Sequence, residues 1–134
     1  MSVLVDTSVW VEYLRATESR HDHQVLRLVD EEPTALAWTE PVLHELASGA
    51  RSAEHATQLG ELLGRGPVLP LDGLVDWGDA ATLSRRARRN GTPVRSALDC
   101  LIATVAIRTD TPVLARDRDF IHLAAVSDLE LLEP

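Results

Sequence analysis

"MSVLVDTSVW" (1–10) decides how this chain is read. The run Ser2–Val5 is long enough for one short, fully buried strand and stops at Asp6. Two hydroxyl residues follow, Thr7 and Ser8, and then Val9, Trp10, Tyr13 and Leu14 recur at helical spacing. A carboxylate therefore stands where a strand hands over to a helix. It either caps that helix or forms one corner of a site.

The same alternation continues outward. Helices are predicted over 8–15 and 20–31, the second with Val25, Leu26, Leu28 and Val29 on its inner side. "TALAW" (34–38) reads as a second strand entered through Pro33. Residues 40–50 read as a helix with Thr39 as N-cap and Pro41 in the first turn, where the missing N–H costs nothing. Helix 53–63 leads to "VLPL" (68–71), a short strand that Pro70 marks as an edge. Residues 73–90 are helical until "NGTP" ends them, and "SALDCLIATVAIRT" (96–109) is a strongly apolar helix. "PVLA" (112–115) is a strand, 118–125 a short helix and "LELL" (129–132) a last strand. Short apolar strands separated by helices imply a parallel sheet covered on both faces, with ligands at the carboxyl ends of its strands.

Composition sets outer limits. A chain of 134 residues is expected to be one domain, 1–134, with a sizeable core. No run approaches 18 apolar residues, and no basic leader precedes the first strand, so a cytoplasmic protein with no membrane span is expected. Cys100 is the single cysteine, which excludes an internal disulfide; inside an apolar helix it reads as an inert thiol. "HELAS" (44–48) lacks the second histidine of a zinc-protease helix. The net charge of −8 argues against general nucleic-acid affinity, but five acids gathered on cations would leave sixteen against thirteen. All thirteen cations are arginine, which removes mechanisms that need a lysine, the P-loop included.

Four carboxylates fall at strand ends or helix starts: Asp6, Glu45, Asp99 and Asp117, with Asp119 two residues further on. Singly, each has an ordinary role: Asp6 and Asp117 as N-caps, Ser96 with Asp99 as a capping pair, Glu45 as a solvated acid near a helix start. Together they carry more weight: three fall where the alternation predicts a strand's carboxyl end or the next helix start, and such ends lie on one edge of a parallel sheet, so convergence is expected. Asp99 and Glu45 also sit among apolar neighbours, where an unpaired carboxylate is costly. Oxygen donors suit Mg²⁺ or Mn²⁺. Several carboxylates with no obligatory His, Cys or Lys fit metal-assisted phosphodiester hydrolysis. Thr7 and Ser8 would support the cluster by hydrogen bonding.

"LVDTSVWVEYL", "TEPVLHELASG", "SALDCLIATVA" and "VLARDRDF" resemble, in order and spacing, the successive motifs of PIN-domain ribonucleases. More narrowly they resemble the VapC toxins of toxin–antitoxin pairs, over essentially the whole chain. The resemblance implies a PIN-like α/β/α sandwich with a short parallel sheet, and endonucleolytic RNA cleavage dependent on Mg²⁺ or Mn²⁺. It implies an acidic tetrad of Asp6, Glu45, Asp99 and Asp117, a further acid at Asp119, and hydroxyls at Thr7 and Ser8. It also implies a homodimer and a cognate VapB-type antitoxin, with tRNA a common substrate of the family.

Arg85, Arg88 and Arg89 share a helix face and, with Arg95, are candidates for gripping RNA phosphates. A solvated face is the alternative. Trp10 and Tyr13 are expected in the core, or else on the rim of an antitoxin groove. A PIN-like module that binds RNA or protein without cutting remains the competing function. A receiver-like phosphoryl-transfer domain is disfavoured by the missing lysine.

Overall fold

A computed structural model describes residues 2–15 and 18–132. Strand β1 (Val3–Val5) lies between β2 (Leu36–Ala37) and β3 (Val113–Leu114), and both neighbours run parallel to it. The register pairs Val3 with Leu36 and Leu4 with Ala37 on one side, and Leu4 with Val113 and Val5 with Leu114 on the other. Consecutive strand residues face opposite sides of a sheet, and Val3, Leu4 and Val5 are all buried. Both faces are therefore covered, as the apolar composition of the strand requires.

The helices that cover it are α1 (Thr7–Leu14), α2 (Arg20–Glu31), α3 (Glu40–Ser48), α4 (Ala53–Leu63), α5 (Gly73–Arg89), α6 (Ala97–Arg108) and α7 (Asp119–Ala124). They pack chiefly as neighbours in sequence: α1 on α2, α3 on α4, α5 on α6. Helix starts follow their caps: Ser19, Ser52 and Ser96 each accept a backbone N–H from three residues on. In α6 every residue from Asp99 to Ala106 is buried, so this helix runs through the middle of the protein. Trp10 is core, 1% exposed and edge-on to Tyr13 at 5.9 Å, which removes it from any groove rim. A second buried link joins α5 to α6. Asp76, fully buried, accepts both forks of Arg108 at 2.9 Å, and Arg108 also donates to the Pro70 carbonyl at 2.7 Å.

Three sequence expectations need correction. "TALAW" is not a five-residue strand: Pro33–Ala35 form a 3₁₀ turn, closed by Ala35 N–H on the Glu32 carbonyl, and only Leu36–Ala37 pair. "VLPL" contributes one parallel bridge, Val68 beside Trp38. Pro70 has no N–H to continue the ladder, and the next N–H, Leu71, is captured by Glu40 Oε2 at 2.8 Å. "LELL" likewise gives one bridge, Leu131 beside Val113. Thr39 does precede α3, but its buried hydroxyl makes no capping bond.

One glycine is demanded by close approach. A Cβ at Gly66 would lie 1.7 Å from the Leu36 carbonyl oxygen, so the loop after α4 passes tightly over β2 only with glycine there. Among the described residues no helix is long and apolar enough to cross a membrane.

Candidate active site

The carboxyl ends of β1 and β3 point at the start of α6, and the acids gather there. Asp6 ends β1 and caps α1. Its Oδ2 accepts the Ser8 N–H at 3.0 Å and the Ser8 hydroxyl at 2.6 Å. Its Oδ1 is buried with no hydrogen-bond partner among the described residues. Asp99 lies in the first turn of α6, positioned because Ser96 accepts its N–H at 3.1 Å. Glu45 comes from the second turn of α3 and accepts the Thr7 hydroxyl at 3.1 Å. Asp117 follows β3; its Oδ1 accepts the Asp119 N–H at 2.9 Å, which turns the chain into α7.

Two groups of three share Asp99. Carboxylate oxygens of Asp6, Glu45 and Asp99 lie within 4.8 Å of one another, and so do those of Asp99, Asp117 and Asp119. The structure thus brings all five predicted acids together, with Thr7 and Ser8 bonded to two of them. Arg85, Arg88 and Arg89 are exposed on the C-terminal half of α5 and do not line the cleft. Arg95 lines a separate hollow beside Trp77 and Cys100, next in sequence to Ser96, which does line it.

At such separations two ionised carboxylates repel by roughly 3 kcal/mol at an effective dielectric near 20. Burial first, and then the charges of Asp6, Asp117, Glu45 and Asp119, together push Asp99 up from the usual 3.8 to about 7. Asp6 is raised by burial, against the lowering effect of its Ser8 bonds. Glu45 is raised by burial and by Asp6, against the Thr7 bond. Burial and the Asp99 charge hold the Cys100 thiol protonated, in keeping with an inert role. Acids driven together against their own repulsion, one with a buried and unpartnered oxygen, fit a hard divalent cation.

Sequence reading missed a sixth carboxylate at the wall of this cleft. Glu12 of α1 is 8% exposed and ion-pairs with Arg116. The signal was its place three residues after Val9, on the buried side of α1, where a solvated acid does not belong.

A parallel sheet whose strand ends carry a carboxylate cluster defines an acidic-site α/β nuclease-like class, and the comparisons narrow it. Residues 3–126 match the PIN domain family. VapC ribonuclease Mb1587 of Mycobacterium bovis and ribonuclease VapC11 of Mycobacterium tuberculosis are each 43% identical over 128 residues, covering 96% of this chain and 96% of theirs. The chain belongs to the PIN-domain family, among the VapC ribonucleases. The fold is that of solved VapBC complexes. The DNA-bound VapBC of Salmonella typhimurium superposes with a TM-score of 0.75 at 19% identity, over 98% of this chain and 97% of that one. VapC20 of Mycobacterium tuberculosis, a sarcin-ricin loop cleaving toxin, gives 0.62 at 20% identity, over 96% and 99%.

Proposed function

We propose that this chain is an endoribonuclease that hydrolyses RNA phosphodiester bonds with Mg²⁺ or Mn²⁺, and the toxin half of a VapBC-type pair. The observation that carries the reading is the convergence of Asp6, Glu45 and Asp99 oxygens, together with a buried Asp6 Oδ1 that finds no hydrogen-bond partner among the described residues. Asp6, Glu45, Asp99 and Asp117 are the residues that would hold the cation, with Asp119 able to join Asp99 and Asp117. Bound there, a divalent ion supplies Lewis acidity: it acidifies water and offsets charge on the phosphoryl and leaving oxygens.

The rest of the work belongs to the chain. Ser8 and Thr7 fix the orientations of Asp6 and Glu45, so the acids need not reorganise as charge develops. Asp99, with its raised pKa, is the acid whose protonation most depends on what fills the site. The cleft measures about 470 Å³ and is open to solvent, room for a phosphodiester and its flanking sugars. An antitoxin of the VapB kind is the partner this reading assigns, because solved relatives of the same fold are VapBC complexes. A homodimer and a cytoplasmic location belong to the same reading. Leu74, Val75 and Trp77, exposed together at the start of α5, support self-association. Transfer RNA is the substrate class we assign, with Arg85, Arg88, Arg89 and Arg95 as outlying phosphate contacts.

The test is cleavage of total small RNA by purified protein with Mg²⁺, Mn²⁺ or EDTA, beside folded Asp6→Asn and Asp99→Asn variants. Metal-dependent cuts that vanish in both variants establish the reading. Tight RNA or protein binding by folded wild type without cleavage replaces it with the non-cutting module.

A further inference from the structure

Among the described residues that line the acidic cleft, Arg116 is the one cation. Its backbone is bolted to the acids: Arg116 N–H donates to Ser8 Oγ at 3.0 Å, and Ser8 Oγ donates to Asp6 Oδ2 at 2.6 Å. Its guanidinium ion-pairs with Glu12, six residues beyond Asp6 on α1. The Glu12 side chain is 10% exposed, whereas that of Arg116 is 55% exposed. A guanidinium has five N–H donors in a rigid fork, and one carboxylate engages about two of them. Glu12 therefore engages part of the fork, while more than half of the Arg116 side chain stays exposed at the cleft it lines.

An arginine present only to quench the acid cluster would pair with the cluster. Arg116 pairs instead with Glu12, which belongs to neither group of three acids whose oxygens converge. Arg116 lines a cleft in which every other charged lining group is an acid. An anion whose paired oxygens match such a fork, and that acids alone would repel, is a phosphate group.

We propose that Arg116 contacts the substrate, gripping a non-bridging oxygen of the scissile RNA phosphodiester, and that Glu12 is the positioning residue that presents it. This rests on the nuclease reading above. No proton or bond changes hands at Arg116. It neutralises charge on the phosphoryl oxygens as the pentavalent centre forms, and Glu12 keeps it from collapsing onto Asp6 or Asp99.

The experiment compares wild type with R116A, R116K, E12Q and the E12Q/R116A double variant. Each is checked for folding by circular dichroism. Two quantities are read: Mn²⁺ binding by calorimetry without RNA, and the single-turnover cleavage rate of one RNA that wild type cuts from the small-RNA pool. Loss of a preorganised donor to the transition state predicts a rate loss of about 100-fold or more in R116A. Mn²⁺ affinity in R116A stays equal or rises, because a repelling cation has gone. Lysine in R116K restores only a fraction, since it lacks the fork. Millimolar guanidinium restores part of the R116A rate and none of the E12Q loss. E12Q falls about tenfold, and the double variant is no slower than R116A, because Glu12 acts through Arg116.

An R116A or R116K enzyme that cuts at the wild-type rate overturns the proposal. So does R116A whose Mn²⁺ binding falls in step with its rate, which would make Arg116 part of the scaffold. If R116A does not fold, R116K and E12Q decide. A folded wild type that cuts no RNA brings down the nuclease reading itself, an outcome separate from a cutting wild type matched by R116A.

Discussion

Replacing Asp99 by asparagine should stabilise the metal-free protein while abolishing its activity. Asp99 has its pKa raised by burial and then by four neighbouring carboxylates, from 3.8 to about 7. A group that is harder to ionise folded than unfolded makes the folded state bind more protons between those two pH values. Stability then falls as pH rises through that window. At about 1.4 kcal/mol per pKa unit the full cost above pH 7 is about 4 kcal/mol. Solvent at the open side of the cleft screens the neighbouring charges and reduces this to about 2 kcal/mol. In EDTA at pH 8, D99N should therefore melt roughly 6–10 °C above wild type. The gap should close below about pH 4, where Asp99 is protonated in both states. Mn²⁺ should invert the order: at 100 times its Kd a ligand adds about 2.7 kcal/mol to wild type, and D99N lacks one of the carboxylates proposed to hold the ion. Thermal melts from pH 4 to 8.5, with EDTA or Mn²⁺, read all three effects. A D99N protein less stable than wild type in EDTA at pH 8 would refute the reasoning, because the carboxylate would then be making net favourable contacts.

Thr7→Val removes the hydroxyl that donates to Glu45 at 3.1 Å and should lower Mn²⁺ affinity or cleavage about tenfold without loss of fold, measured by calorimetry and RNA cleavage. Arg108→Ala leaves the fully buried Asp76 without its fork partner. Burial raises the Asp76 pKa, but the Arg108 hydrogen bonds, with the Asp72 N–H, lower it more, so the pair is an ionised one in the native state. The variant should lose about 2–3 kcal/mol in urea unfolding at pH 7. The loss should shrink as pH falls through the depressed Asp76 pKa, because that stabilisation needs the carboxylate charged. Gly66→Ala drives a methyl into the Leu36 carbonyl and should cost about 2 kcal/mol or more, with slower-migrating or aggregated protein as the visible sign.

The acids were legible because each is tied to a local signal. Asp6 and Asp117 follow apolar runs at once, and Asp99 sits three residues after the serine that caps its helix. Helix limits were read to within a residue or two for the same reason. Strands were less legible. Their length depends on whether a neighbour offers a partner N–H or carbonyl, and β3 stops when the Arg116 N–H turns to Ser8 Oγ instead. Pro33 and Pro70 announced breaks, but not that one break would form a 3₁₀ turn and the other leave a single bridge. The Glu12 and Asp76 pairings escaped notice for a different cause. Each joins residues from distant parts of the chain, and no local periodicity encodes which arginine will arrive beside a buried acid.

The central strand of the sheet is also the first to be synthesised. β1 waits for β2, and its other edge waits for β3 at Val113 and Leu114. Asp6 meets Asp117 only when that last pairing forms, so most of the chain must be made before the acids are brought together. Pairing across such a separation is slow and depends on the completed domain. A ribosome translating this chain therefore carries no assembled acid cluster through most of its synthesis. Topology alone separates the making of the chain from the assembly of its acidic cleft.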